Sequence, residues 1–175
     1  MMEFGWGAVL LAYLTVQRVA ELWWATQNER RLFAAGGIEY GRNHLLLIVL
    51  LHAAWMAGLW TLAYNRPVEP AYLTLFVILQ IARYWVLISL GRRWTIRIIV
   101  VPAEKLVKRG PYRFIRHPNY AVVAGEIAVV PLSLGLPIYA LVFSILNAVV
   151  LAIRIPAENA ALAAAAFDWH GNWVE

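Results

Sequence analysis

The chain has 175 residues, a formal net charge of +5, 62% hydrophobic composition and only 14% charged residues. That is more apolar side chain than one small soluble core can bury, so the composition excludes a large soluble domain and requires lipid as solvent. The absence of cysteine removes disulfides, thiolate metal sites and cysteine nucleophiles without fixing a compartment.

The first apolar block, residues 4–24, has no basic n-region and no small-residue cleavage site ahead of its polar patch, so it reads as a retained span rather than a signal peptide. Within it Gln17, Arg18 and Glu21 place an ion pair at i, i+3 near the inner end, either a structural pair against another helix or a substrate contact. The second block, residues 44–64, carries His52, expected as a polar contact between helices rather than a ligand. The third, residues 71–90, carries Arg83, which either snorkels to the interface or pairs with a carboxylate. Most of the tryptophans in this half, such as Trp6, Trp23, Trp24 and Trp60, stand near the ends of apolar runs, where amphipathic rings favour the interface.

The last block, residues 120–155, would reach roughly 50 Å as one helix against a hydrocarbon core of about 30 Å. Pro131, Gly135 and Pro137 cluster in its middle and predict a helical hairpin. The expected fold is therefore an all-α integral membrane protein of about five spanning helices, with the alanine-rich run 160–166 continuing the last one. One membrane domain covers residues 1–175: N-terminal spans at 1–91, a polar connection and hairpin at 92–162, and a tail at 163–175.

Arg30, Arg31 and Arg42 follow the first block, and Arg92, Arg93, Arg97, Lys105, Lys108, Arg109, Arg113 and Arg116 follow the third, whereas the alternate loops hold only Arg66. The positive-inside rule puts the basic segments and the C-terminus in the cytoplasm, as expected for a multi-pass protein of a bacterial or archaeal cytoplasmic membrane. Topology and anionic membrane lipid account for these cations more simply than nucleic acid does. His44, His52, His117 and His170 lack the short spacings of a metal site, and none is expected.

The connection at 92–117 is expected to roof a site. Under it Glu126, Arg154 and Glu158 lie at similar depth and are expected to converge, with Arg154 and Glu126 as candidate catalytic groups. The stretch Gly110-Pro111-Tyr112-Arg113-Phe114-Ile115-Arg116-His117-Pro118-Asn119-Tyr120 gathers cations, aromatics and a histidine on a lipid-soluble chain. Such groups collect where they meet water, headgroups or a ligand. Pro118 starts a helix and leaves nearby amides free, while the rings of Tyr112, His117 and Tyr120 can stack on a planar heterocycle. Anchoring the helix at the interface is the alternative use of the same residues.

The pattern Leu106-Val107, Gly110-Pro111-Tyr112, Arg116-His117-Pro118-Asn119-Tyr120 and Arg154-x-x-x-Glu158 resembles the isoprenylcysteine carboxyl methyltransferase family of integral membrane enzymes. The resemblance covers the C-terminal half, from Leu90 to Leu162. Gln17-Arg18, Glu21 and the Gly37-Ile38-Glu39-Tyr40-Gly41 loop look most like its short bacterial branch, whose members accompany type III polyketide synthases and methylate alkylpyrones. It implies S-adenosylmethionine held without a Rossmann fold by Glu104, Lys105, Leu106, Val107, Tyr112, His117, Pro118, Asn119, Tyr120 and Glu158, with Arg154 facing the acceptor. The acceptor would be a lipophilic or prenylated molecule bearing a carboxylate or an acidic hydroxyl. One departure is visible, since the family often has a second glutamate where Asn159 stands here. The rival readings are an NADPH-dependent membrane reductase of the sterol-reductase type and a non-enzymatic membrane scaffold.

Overall fold

The computed structural model describes residues 5–102 and 106–165. The described residues form five α-helices: α1 Trp6–Ala34, α2 Arg42–Ala63, α3 Pro70–Leu90, α4 Pro118–Ser133 and α5 Pro137–Ala165. Among the described residues three helical stretches are long and apolar enough to cross a membrane, Arg42–Ala63, Pro70–Arg93 and Pro137–Ala164. The other two of the expected five differ for visible reasons: α1 carries charge in its middle, and α4 has only 16 residues.

The expected hairpin is present. The chain turns between α4 and α5 with Gly135 at φ +68°, a conformation that costs a residue without Cβ little, and Pro137 starts the next helix. Helix α1 runs past the expected end of its apolar block to Ala34, because the polar residues that follow contain no breaker until Gly36, at φ +86°. At 29 residues it reaches roughly 43 Å, beyond a hydrocarbon core of about 30 Å.

Two three-residue strands were not foreseen. Strand β1 (Ile38–Tyr40) follows α1, and β2 (Ile98–Val100) lies in the long connection; they pair antiparallel with Ile38 opposite Val100 and Tyr40 opposite Ile98. The pair fastens the connection across the ends of α1 and α5, where Ile98, Val100 and Ala161 form a small core. A 3-10 turn at Gly110–Arg113 then leads into α4. Gly110 is required there twice over: its φ is +58°, and a Cβ would lie 1.9 Å from the Ser89 hydroxyl.

The main core joins Leu11 and Leu14 of α1, Trp55 and Leu59 of α2, Phe76 of α3, and Ile127 and Val130 of α4. The outer faces show Val16, Ile88 and Ile138 at 70%, 74% and 77% exposure, the surface that a lipid solvent demands. At one end the Gly7 amide donates to the Arg66 carbonyl at 3.1 Å, and the Glu69 amide to the Ser133 carbonyl at 2.8 Å. The start of α1, the α2/α3 connection and the α4/α5 turn therefore share that end, and the basic segments share the other.

Between α1, α3 and α4 lies a buried charged cluster. Arg18 meets Glu21 at 3.0 Å and Glu126 at 2.6 Å. Arg83 donates from Nη1 to Glu126 at 2.8 Å, and from Nε and Nη2 to Glu21. Gln80 and Gln17 extend the chain, Gln80 donating to Glu126 at 2.8 Å and Gln17 to Gln80 at 2.7 Å. Of the two readings open for Arg83, carboxylate pairing is the one observed, and the Arg18 and Glu21 pair packs against other helices. Among the described residues the hydrogen bond of His52 is within its own helix, Nδ1 to the Ile48 carbonyl at 2.8 Å, rather than between helices.

Candidate active site

At the basic end of the molecule a cavity of about 600 Å³ opens between the connection and the ends of α4 and α5, within the range of small-molecule sites. Three pieces of backbone bring its polar groups together. Helix α5 stacks Arg154, Glu158 and Leu162 at i, i+4, i+8, which places them one above another on one face. Pro118, at the first position of α4, fixes the entry of the chain so that His117, Asn119 and Tyr120 meet that face. Strand β2 and its flanks form the opposite wall.

The centre is a hydrogen-bonded chain rather than a simple ion pair. Arg154 and Glu158 are joined through Tyr120: the Arg154 Nε donates to the phenol oxygen at 2.9 Å, and the phenol donates to Glu158. Arg154 Nη2 donates to the Ile96 carbonyl. His117 stacks on the Tyr120 ring, with centroids 5.4 Å apart and planes at 21°. One imidazole nitrogen, Nε2, bonds Asn159 Oδ1 at 3.0 Å, and the other lies 3.9 Å from Glu158. Among the described residues Arg154 Nη1 makes no hydrogen bond, so a guanidinium 5% exposed keeps one donor nitrogen, with two N–H groups, for a ligand.

Tyr112 also lines the cavity. Burial, and secondarily the Glu158 charge, pushes its phenol well above the ordinary range, so it is a neutral hydroxyl at working pH. Among the described residues the buried Asn119 Oδ1 has no hydrogen-bond partner, an acceptor that a ligand donor would satisfy. Arg97, by contrast, is spent on the fold: its Nη1 is 3.0 Å from Glu39 and its Nε 3.2 Å from Glu29.

Of the residues expected at the site, the structure gathers Leu106, Val107, Tyr112, His117, Asn119, Tyr120, Arg154 and Glu158 around one cavity. Pro118 stands just behind it as the buried first residue of α4. Glu104 and Lys105 lie outside the described residues, as does the tail from residue 166. Glu126 does not converge with Arg154 and Glu158; it is 1% exposed and bound to Arg18 and Arg83 in the intramembrane cluster. Six residues along α4 from Tyr120, it lies about 9 Å further down the axis and roughly 240° around it.

Sequence reasoning missed three parts of the site. Asn159, noted only as a departure, holds His117. The Ile96 carbonyl holds Arg154, and the Glu39 and Arg97 pair ties β1 to the end of β2. The last had a faint signal in opposite charges on two short β-branched segments, but nothing local fixes their register.

A mainly helical molecule with three helices long and apolar enough to cross a membrane among its described residues belongs to the class of integral membrane proteins. The chain belongs to the isoprenylcysteine carboxyl methyltransferase (ICMT) family, whose profile matches residues 72–164, and is thereby a membrane methyltransferase. The match runs from α3 through nearly all of α5 and takes in Tyr112, His117, Asn119, Tyr120, Arg154 and Glu158. Among its relatives, YpbQ, an uncharacterized protein of Bacillus subtilis (strain 168), is 42% identical over 159 residues, 88% of this chain and 95% of the relative. An uncharacterized protein of Haemophilus influenzae (strain ATCC 51907 / DSM 11121 / KW20 / Rd) is 25% identical over 148 residues, 78% of this chain and 83% of the relative. No solved structure matches the chain.

Proposed function

We propose that the protein is an S-adenosylmethionine-dependent O-methyltransferase, and that its acceptor is a carboxylate or acidic hydroxyl on a lipophilic molecule drawn from the membrane. The observation that carries this reading is the spare donor of Arg154, held in a cavity that also presents the Glu158 carboxylate and the unpaired Asn119 oxygen. That donor set fits the methyl donor: Glu158 is an acceptor for an ammonium, Asn119 Oδ1 for a hydroxyl or amine, and the His117 and Tyr120 rings offer a stacking surface.

S-adenosylmethionine, when bound, supplies a methyl group on a positively charged sulfur that an oxygen can attack directly. The protein's task is then placement, since in-line transfer to an oxygen needs alignment more than covalent help. Arg154 performs it through Nη1, donating a charge-assisted hydrogen bond to the anionic acceptor oxygen and keeping that oxygen deprotonated. Tyr120 and the Ile96 carbonyl hold the guanidinium still. The neutral Tyr112 hydroxyl is a fixed donor on the cavity wall. Five crossings, with the basic end in the cytoplasm, would bring the soluble donor and the membrane-borne acceptor to the same cavity. Within the family, the short bacterial branch that methylates alkylpyrones is the reading favoured for this chain.

Purified protein in detergent is expected to melt at a higher temperature with S-adenosylhomocysteine. Stabilisation by NADPH and not by S-adenosylhomocysteine would overturn the assignment in favour of a reductase. Transfer of labelled methyl to a long-chain alkylpyrone, but not to a farnesylated cysteine carboxylate, would select the alkylpyrone branch, and the opposite result would exclude it.

A further inference from the structure

Two neighbouring residues of α1, outside the stretch that the family profile matches, reach the active site from behind. The connection that follows α3 passes in front of them: after the 3-10 turn Gly91–Arg93 the chain is irregular until β2 begins at Ile98. Backbone outside a helix or sheet has no ladder of its own, so its carbonyls are placed by other groups. Asn28 Nδ2 donates to the Trp94 carbonyl at 2.9 Å and to the Gly91 carbonyl at 3.3 Å. Glu29 takes the other end, accepting from the Arg97 amide at 3.4 Å and pairing with Arg97 Nε at 3.2 Å. Between the two grips lies Ile96. Its carbonyl holds Arg154 Nη2, and its side chain packs on a small core of Ala25, Leu87 and Trp94.

Asn28 is wholly buried, and both of its partners are acceptors. The amide can face them only with its nitrogen, so Oδ1 is left buried and, among the described residues, without a partner. An acceptor left unmade in the interior lowers stability. Leucine fills nearly the same volume without that loss, so packing alone does not account for the residue; holding two carbonyls does. One turn earlier on α1, Trp24 stacks on the Trp94 ring, with centroids 5.7 Å apart and planes at 23°, so α1 grips Trp94 by ring and by backbone. Ile96 stands two residues from Trp94 and one from Arg97. With successive Cα atoms about 3.8 Å apart, so short a span leaves its carbonyl little room to move.

We propose that Asn28 and Glu29 are positioning residues of the methyltransferase site, fixing the Ile96 carbonyl so that Arg154, held between it and the Tyr120 hydroxyl, aims Nη1 at the acceptor oxygen. The proposal rests on the function proposed above and extends the site into α1, beyond the family match. Neither residue lines the cavity. Each acts through the connection, Asn28 on its start and Glu29 on its end.

Asn28→Leu removes the donors and keeps the volume, whereas Glu29→Gln keeps an acceptor for the Arg97 amide and removes the ion pair. Each is to be made alone and together with Arg154→Ala. Transfer of labelled methyl to a long-chain acceptor is followed alongside the melting shift by S-adenosylhomocysteine. Asn28→Leu is expected to lower kcat by about tenfold to a hundredfold, as small misplacements of a positioning group do, and Glu29→Gln by less. The melting shift is expected to stay unchanged in both. In the Arg154→Ala background neither is expected to lower transfer by more than about twofold further, because the group they aim is gone. The same loss in both backgrounds, or no loss in the unaltered one, would overturn the proposal. So would a melting shift lost in Asn28→Leu, which marks damage to the donor's site rather than to the aim of Arg154. Should Asn28→Leu fail to fold, Glu29→Gln, at a partly exposed position, decides by the same two measurements. Neither transfer nor a melting shift in the unaltered protein would overturn the enzymatic reading, and this proposal with it.

Discussion

Two of the three donor nitrogens of Arg154 are already bonded, Nε to the Tyr120 hydroxyl at 2.9 Å and Nη2 to the Ile96 carbonyl. In the proposed mechanism its part therefore falls to Nη1. Arg154→Ala is expected to lower turnover by about 10²–10³, the usual loss for one preorganised donor, while S-adenosylhomocysteine binding changes by less than about threefold. Arg154→Lys is expected to fail as well, because an ammonium cannot keep the Tyr120 and Ile96 bonds while aiming a third donor. A matching loss of donor affinity in Arg154→Ala would show that the residue holds the donor and not the acceptor. Tyr112 gives a pH test. Its phenol is raised by burial and by Glu158, so it keeps its proton through pH 10, where an ordinary tyrosine titrates. Donor affinity is expected to show no break near pH 10 that disappears in Tyr112→Phe. These residues were legible because they come as short motifs, Gly110-Pro111-Tyr112 and His117-Pro118-Asn119-Tyr120, or as one i, i+4 pair. Glu126 was not, since depth along a helix says nothing about the face on which a side chain lies.

At the scale of elements, the three helices around Glu126 are held by charge inside an apolar solvent. Two arginines and two glutamates balance, with both Glu126 oxygens and both Glu21 oxygens bonded. Removing one partner leaves an unpaired charge where water cannot reach it. Arg83→Met is expected to cost about 3–5 kcal/mol, as for other broken buried pairs, and to lower the melting temperature in detergent accordingly. Arg83→Met combined with Glu126→Leu removes one charge of each sign and leaves Arg18 paired with Glu21, so it is expected to melt higher than the single variant. A double variant no more stable than Arg83→Met would show that shape, not charge balance, holds α1, α3 and α4 together. The elements themselves were unevenly readable. Pro131, Gly135 and Pro137 announced the α4/α5 hairpin, because breakers act locally. The β1/β2 pair gave no such sign, because three residues are too few for an alternating pattern and the pairing spans the whole of α2 and α3.

For the whole molecule, the basic residues and the cavity lie at one end, and the chain reaches that end from α1, α3 and α5. The opposite end carries Arg66, whose Nη1 donates to the Gly135 carbonyl at 3.1 Å and so ties the α2/α3 connection to the α4/α5 turn. Charge and architecture thus divide the protein along the same axis, and the positive-inside rule is the ground for the proposed orientation with the cavity in the cytoplasm. The chain contains no cysteine, so single introduced thiols report cleanly on that orientation. Asn65→Cys, at the Arg66 end, is expected to react in intact cells with a maleimide that cannot cross the membrane. Ala35→Cys and Phe114→Cys, both exposed at the basic end, are expected to react only after the membrane is opened. Labelling of Asn65→Cys and Ala35→Cys from the same side would mean that α2, the helix between them, does not cross, and labelling of Phe114→Cys in intact cells would invert the whole assignment. An inverted protein could not meet a donor made in the cytoplasm, so this measurement tests the proposed chemistry as well as the topology.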